Sequence, residues 1–537
     1  RAAPVLRKVD HLFPVLCHKV RELFLTLAYD PLNALTMNKL WMLLLSLLGF
    51  AGCDEPQEDM YGTPYAEYTV KGCVTDAAGT PIAGIEVRRS SWGSDPSAVR
   101  TDTRGAYTFE ADGNVLYMPP VLTFTDTDGP AAISPGRRSR SPLRRATGRA
   151  RAREVGCTGV SSARASTSYS RRKPERSSMD GRHLSLRKRL GLELYRRLHR
   201  EAVERHELRT LFWECTLRCN LRCGHCGSDC TASPDCQDMP AEDFFRVLDR
   251  QITPRVDPHR VMVVLSGGEV LVRSDLERIG RALYDREYPW GMVTNGMALT
   301  PQRFDGLLGA GLHSMTVSID GFEAEHNRLR RHPLSFARAA EAVRMAAAEP
   351  SIAFDAVTCV TPALVPRLDE FKEYLLSLGL RSWRLFAIFP AGRAAEDPAL
   401  QLSDGQFRAL MEFVRRTRRE GRIACSYACE GFLGGYEMEA RDHFYHCDAG
   451  VSVASIRVDG AISGCTSVRA DYAQGNIYRD DFWQVWTERF EPFRRREWMR
   501  RGACADCAAW RYCEGGPMHL RDADGGMMHC SYRRLCR

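Results

Sequence analysis

Three cysteines stand at offsets of four and three in the stretch CNLRCGHC: Cys219, Cys223 and Cys226. Thiolates this close together suit a soft metal or an iron–sulfur cluster. A structural zinc site takes four ligands, and so do the clusters of ordinary ferredoxins. Three cysteines therefore mean an incomplete motif, a fourth ligand elsewhere in the chain, or a metal left open for a small molecule.

The rest of the chain has to choose among these. It has 537 residues, 44% of them hydrophobic, which is a globular composition with room for several domains. The net charge of +8 is unevenly spread. Between Pro130 and Ser178 thirteen Lys/Arg face two acidic residues, a local +11 that leaves the remainder near −3. The basicity thus belongs to one segment and not to a folded face, so no nucleic-acid partner is expected. Of the twenty cysteines, six fall between 215 and 236 and nine between 425 and 536, on either side of a long helix–strand region. That placement suits a metal protein better than a disulfide framework.

Strand-like runs at 209–216, 260–265, 289–293, 314–319, 352–361 and 382–389 alternate with helix-like runs at 241–252, 273–287, 301–309, 334–348, 366–378 and 404–419. Six such repeats predict a parallel sheet with right-handed crossovers, either an open barrel or a doubly wound sheet. Chemistry belongs at the C-terminal strand ends in both. CNLRCGHC follows the first strand. The second ends in VVLSGGEV, with Gly267, Gly268 and Glu269. Glycines there would let a ligand approach the backbone, and the carboxylate would hold an amine. The third ends in VTNG and the fourth in VSIDG. Together, four strand tips describe one site.

In this order and on these strands, the CxxxCxxC loop, GGE, TNG and SIDG resemble the radical S-adenosylmethionine (radical SAM) enzymes. The resemblance implies an α/β fold, a partial (β/α)6 barrel over residues 179–420. It implies that Cys219, Cys223 and Cys226 bind three irons of a [4Fe–4S] cluster whose fourth iron is chelated by SAM. Reductive cleavage of SAM would then give a 5′-deoxyadenosyl radical. By position, Gly267, Gly268 and Glu269 would face the SAM amino group. Thr294, Asn295, Ser318 and Asp320 would lie along its ribose and methionine parts. Arg330 would take its carboxylate, in competition with Arg328. A one-electron donor such as flavodoxin or ferredoxin is implied. No catalytic acid or base is singled out. Two departures are His225, where an aromatic residue usually precedes the third cysteine, and Val270, where proline usually follows GGE.

The late cysteines resemble the SPASM extension of these enzymes, over residues 421–537, which carries one or two auxiliary [4Fe–4S] clusters. Its pattern is matched by Cys447, Gly460 and Cys465, then Cys504, Cys507 and Cys513, then Cys530. Pro517 stands where one further cysteine is expected. The reading closes the count with Cys425, Cys429, Cys447 and Cys465 on one cluster and Cys504, Cys507, Cys513 and Cys530 on the other, leaving Cys536 spare. A zinc ribbon at 504–530 is the plainer alternative. Cys215, Cys230 and Cys236 specify no ligand set, and Cys359 reads as core.

Before residue 179 the chain reads differently. Residues 1–36 precede the first methionine, Met37, are unassigned, and fit an untranslated stretch. Residues 37–53 read as a lipoprotein signal peptide: Lys39, an apolar Leu40–Phe50, and FAGC, in which Cys53 would be lipidated. Residues 54–129 are similar to small carboxypeptidase-regulatory-like β-sandwiches. Residues 130–178 read as an Arg/Ser-rich disordered linker. A lipoprotein signal would export everything downstream, whereas oxygen-sensitive clusters and SAM are cytosolic. The expectation is therefore a membrane-anchored lipoprotein and a cytoplasmic enzyme joined by a frameshift across 130–178. One uninterrupted reading frame at the locus would contradict it. The enzyme resembles radical SAM/SPASM proteins encoded beside small lipoproteins, which implies modification of a peptide or protein, the lipoprotein being one candidate. Action on a small molecule or in cofactor maturation, and a non-catalytic iron–sulfur or zinc scaffold, are the alternatives.

Overall fold

The alternating runs ahead of residue 130 pair as short antiparallel strands in the computed structural model. It describes residues 44, 68–74, 81–89, 98–109, 122–125, 158–162 and 184–536. Cys53 and nearly all of the signal segment lie outside the described residues. Strands β1 (Tyr68–Cys73), β4 (Ala106–Phe109) and β6 (Thr158–Ser162) form one sheet in the order β4-β1-β6. Strands β2 (Glu86–Arg89), β3 (Ala98–Arg100) and β5 (Leu122–Thr125) form another in the order β3-β2-β5. Ahead of β2, the Thr101 hydroxyl donates to Ile82 O at 2.8 Å and accepts from Ile85 N at 3.0 Å. Strand β6 departs from the expected disordered linker. It comes from an uncharged stretch between Glu154 and Arg164, where like-charge repulsion is absent, and it pairs along β1.

Every residue of TLFWECT, β7 (Thr210–Thr216), is buried, and β8 (Met262–Gly267) is buried up to its last residue. Strands covered on both faces belong inside a parallel sheet. They continue with β9 (Trp290–Thr294), β10 (Leu312–Ser318), β11 (Ala353–Val360), β12 (Ser382–Ala387) and β13 (Ala424–Tyr427). The intervening helices are α2 (Ala241–Val247), α3 (Leu276–Asp285), α4 (Pro301–Gly309), α5 (Glu323–Arg330), α6 (Ser335–Ala347), α7 (Leu368–Ser377) and α8 (Asp404–Glu420), and α1 (Leu186–Arg205) precedes β7. A capping box between Ser403 and Gln406 starts α8.

Strand order decides between barrel and doubly wound sheet. From β7 to β13 the neighbours follow chain order without reversal. Right-handed crossovers then place all helices on one face, and the other face becomes an interior, as in an open barrel. On the far side of β7, β14 (Val453–Ile456) pairs parallel to it, and β15 (Ala461–Ser463) and β16 (Gly475–Asn476) extend the sheet antiparallel. The period-two alternation sorts side chains. Trp213, Leu265 and Trp383 face the helices, while Glu214, Ser266, Thr316, Asp355 and Arg384 share the interior face. Interior charge is paired there: Arg384 holds Asp355, to which Thr316 also donates at 2.7 Å.

Trp213 stacks on Phe244 of α2 with centroids 4.2 Å apart, both fully buried. Replacing Trp213 by Ala removes the largest side chain at the β7–α2 contact. It should cost about 4 kcal/mol, seen as a lower denaturant midpoint for the enzyme part.

Candidate active site

The cysteine loop is clamped by backbone bonds. Gly268 N donates to Thr216 O at 2.8 Å and Glu269 N to Arg218 O at 2.9 Å, so the β8 tip grips the chain just ahead of Cys219. Cys219 N donates to Thr231 O and Gly224 N to Leu329 O of α5, both at 2.8 Å. The glycines serve this clamp. A Cβ on Gly267, whose φ is +127°, would lie 2.0 Å from Thr216 O, and one on Gly268 2.2 Å from Arg218 O. No side chain fits where two backbones pass this closely.

Glu269 then ties the β8 tip to the β9 tip. Its carboxylate, 1% exposed, accepts from Leu271 N at 3.1 Å, from Thr294 Oγ1 at 2.6 Å and from Asn295 N at 2.7 Å. Burial raises its pKa, and these donors partly offset that. Asn295 turns back to the loop, donating to Asn220 Oδ1 at 2.8 Å and towards Cys219 Sγ at 3.9 Å.

The opposite wall is ionic. Asp320 is 1% exposed and accepts from Arg330 Nε at 2.7 Å and from Cys359 N at 2.9 Å. Burial opposes its charge, but Arg330, with His225 and His326, outweighs burial and holds the carboxyl at about 2. Arg330 therefore has Asp320 as a buried carboxylate partner within the protein. It also donates towards Cys223 Sγ at 3.8 Å. Arg328 is exposed. Ser318, half-buried, ends β10. Cys359 packs against the apolar cluster of Leu329, Ile388, Ala394 and Leu400, and alternation along β11 also puts it on the interior face with Asp355, where its sulfur, a His225 nitrogen and an Asp320 oxygen lie within 4.8 Å of one another. Burial brings His225 down to about 4, and its Nδ1 is buried without a partner among the described residues.

Sequence reading missed Arg393. Its guanidinium, nearly fully buried, donates from Nε to Cys223 O at 2.8 Å and from Nη1 to Cys230 O at 3.1 Å, and pairs with Asp229. The signal was there: Arg393 follows the sixth strand, at the same end of the sheet as the four motif tips.

The donor set fits an iron–sulfur cluster. Burial pushes the Cys219 thiol up to about 12 and raises Cys223, yet N–H donors from Asn295 and Arg330 point at both sulfurs. Such donors stabilise sulfur as thiolate, the form that ligates metal.

Two further sulfur groups lie beyond the barrel strands. Cys504, Cys507, Cys513 and Cys530 line one pocket, and Arg521 donates to Cys504 Sγ at 3.3 Å. Cys429, Cys447 and Cys465 act electrostatically on one another, and Ser467 N donates to Cys465 Sγ at 3.4 Å. Cys425, expected with them, is elsewhere. It pairs in register with Trp383 on the helix-facing side of β13, where Arg418 and Lys372 are its charged neighbours. Arg441, 1% exposed, has Nε and Nη1 unpartnered among the described residues and acts on Cys429. A buried cation acting on Cys429, and on the buried carboxyl of Glu430, favours negative charge beside it, which cluster thiolates would add.

Residues 213–374 match the model of the radical SAM superfamily, and residues 447–508 match SPASM, described as an iron–sulfur cluster-binding domain. The AdoMet-dependent heme synthase of Methanosarcina barkeri is 25% identical over 347 residues, 60% of this chain and 97% of that protein. Mycofactocin maturase MftC of Mycolicibacterium smegmatis is 28% identical over 318 residues, 57% of this chain and 77% of that protein. Streptococcus suis SuiB, solved bound to the precursor peptide SuiA, shares the fold with a TM-score of 0.50 at 17% identity, covering 69% of this chain and 84% of that one.

Two outcomes test this geometry. Gly268→Ala forces the β8 tip off Arg218 O, and the variant should retain severalfold less iron on anaerobic reconstitution, read by iron assay and absorbance. The pKa of Asp320 is depressed when folded, so the stability it contributes is complete above pH ~4 and lost as pH falls through about 2. Asp320→Asn leaves Arg330 unpaired and should cost about 3 kcal/mol at neutral pH, a difference that narrows below pH ~4 in acid-unfolding curves.

Proposed function

This chain is a radical SAM enzyme with a SPASM domain, and on that premise we propose that it modifies a peptide or protein substrate of the kind its own N-terminal part represents. When bound, the cluster and S-adenosylmethionine supply a one-electron cleavage that yields methionine and a carbon radical able to take hydrogen from a substrate C–H bond. The chain's residues bind and orient. Cys219, Cys223 and Cys226 are assigned to three irons. Glu269 Oε2 accepts from one protein donor and keeps acceptor capacity for an amino group. Ser318 and Thr294 stand at adjacent strand tips and are assigned to the ribose side of S-adenosylmethionine. The Asp320–Arg330 pair and Arg393 keep the loop and its sulfurs fixed. The enzyme part is placed in the cytoplasm, fed by a low-potential donor of the flavodoxin or ferredoxin type.

The observation that carries the peptide reading is at the start of α1. Leu186 and Leu190, one turn apart, are 75% and 47% exposed, with Arg187 and Arg189 exposed beside them. The lipoprotein-like segment opens with DEPQED, four acidic residues in six, followed by Met60, Tyr61 and Tyr65. Acidic and apolar groups in that spacing complement an arginine-flanked leucine pair. The likeness to Mycofactocin maturase supports the same reading. A small-molecule substrate is the second reading, favoured by the heme synthase that matches over 97% of its length.

The test is anaerobic reconstitution with SAM, dithionite and a peptide spanning residues 54–129, followed by mass spectrometry. The expected result is an altered peptide mass with 5′-deoxyadenosine formed in proportion. Leu186→Asp with Leu190→Asp should slow peptide modification about tenfold, or about 1.4 kcal/mol, while SAM cleavage without peptide is unchanged. An unaltered peptide, with a heme precursor consumed instead, would establish the second reading.

A further inference from the structure

Two of the three cluster thiols have a side-chain donor pointing at them, Asn295 at Cys219 and Arg330 at Cys223. The donors of Cys226 lie further along its own loop. That loop closes on itself: Cys219 N donates to Thr231 O at 2.8 Å, and Arg218 forms an isolated parallel β-bridge with Thr231. The closure brings Cys230 back to Cys226, and the two sulfurs hydrogen-bond to each other. The Cys226 sulfur also accepts from the backbone N–H groups of Ser228 and Cys230.

Cys230 is 3% exposed, and the cluster motif leaves it unassigned. Its sulfur lies 3.7 Å from Gly267 O, at the β8 tip, and 3.8 Å from Ser228 O. Arg393 fixes its backbone, donating from Nη1 to Cys230 O at 3.1 Å and from Nε to Cys223 O at 2.8 Å. The Arg393 amide donates to Cys226 O at 3.0 Å. One buried residue thus sets the spacing of Cys223, Cys226 and Cys230. Metal ligation takes the proton from Cys226, so the proton left in the pair is that of Cys230. Between two neutral carbonyls and an anionic sulfur, an S–H turns to the anion, because charge-assisted hydrogen bonds are the stronger.

We propose that Cys230 is a positioning residue of the SAM-binding site, its thiol donating a hydrogen bond to the iron-bound sulfur of Cys226 and coordinating no metal itself. The inference rests on the assignment of Cys219, Cys223 and Cys226 to the cluster. Each ligand sulfur then has one side-chain donor. The effect falls on the reduction potential. A hydrogen bond to a ligand sulfur stabilises the reduced, more negative cluster and so raises its potential.

The test is a redox titration of the full chain, reconstituted anaerobically and followed by the electron paramagnetic resonance signal that SAM shifts. Cys230→Ala should keep the iron and sulfide content of the wild type. At the wild-type midpoint its reduced-to-oxidised ratio should be about tenfold lower, or about 59 mV for one electron. Cys230→Ser keeps a donor at this position and should recover most of that loss. The signals that SAM does not shift should hold their midpoints in both variants. A Cys230→Ala midpoint equal to wild type would overturn the proposal. So would a Cys230→Ser midpoint as low as that of Cys230→Ala, which would leave Cys230 a space-filling role. Loss of iron from both variants would overturn it too, making Cys230 a ligand or a packing residue. A wild-type protein without any SAM-shifted signal would overturn the cluster assignment itself, and this inference with it.

Discussion

The site depends on a contact between two stretches of backbone. The amides of Gly268 and Glu269 donate to carbonyls just ahead of Cys219, at a separation that admits no side chain. A loop bearing three thiols has a single buried leucine, Leu221, between them, and its thiolates repel one another. Held at Thr216 and Arg218 by β8, at Gly224 by α5, and at the Cys223, Cys226 and Cys230 carbonyls by Arg393 and its neighbours, the loop is fixed by hydrogen bonds from several separate elements. Preorganisation of this kind lets three sulfurs meet a cluster without a costly rearrangement.

Much of the barrel was legible because its strands are buried on both faces and its helices carry a clean apolar stripe. All six strand-like runs and all six helix-like runs recur, with ends shifted by a few residues. What was missed has physical causes. Helix α5 lies in EAEHNRLR, which is almost wholly polar and shows no stripe. Strand β13 is four residues long, and its cysteine looked like a ligand until register with Trp383 turned it towards the helices. Cys359 packs against an apolar cluster, as the run around it suggests, but the polar neighbours that alternation gives it were not legible. The strand tips carried the site reliably, since the sheet topology brings them together. Which partner each side chain takes was not legible: Arg330 finds Asp320, and Glu269 finds Thr294 and Asn295.

Charge follows the same logic at both three-thiol sites. Each has a buried guanidinium near its sulfurs, Arg330 beside Cys223 and Arg441 acting on Cys429. At the first, Asp320 compensates the cation. At the second, two guanidinium nitrogens of Arg441 are unpartnered among the described residues. Buried cations of this kind are costly unless anionic sulfur and metal lie beside them. The cysteine-rich extension therefore reads as a folded shell around two negatively charged groups.

The central claim is that Cys219, Cys223 and Cys226 hold a cluster with one iron open to a small molecule. The most direct measurement is the electron paramagnetic resonance spectrum of the dithionite-reduced protein with and without SAM. The expected result is that one of the cluster signals shifts on adding SAM and the others stay as they were. A spectrum unchanged by SAM, with all clusters reduced, would contradict it.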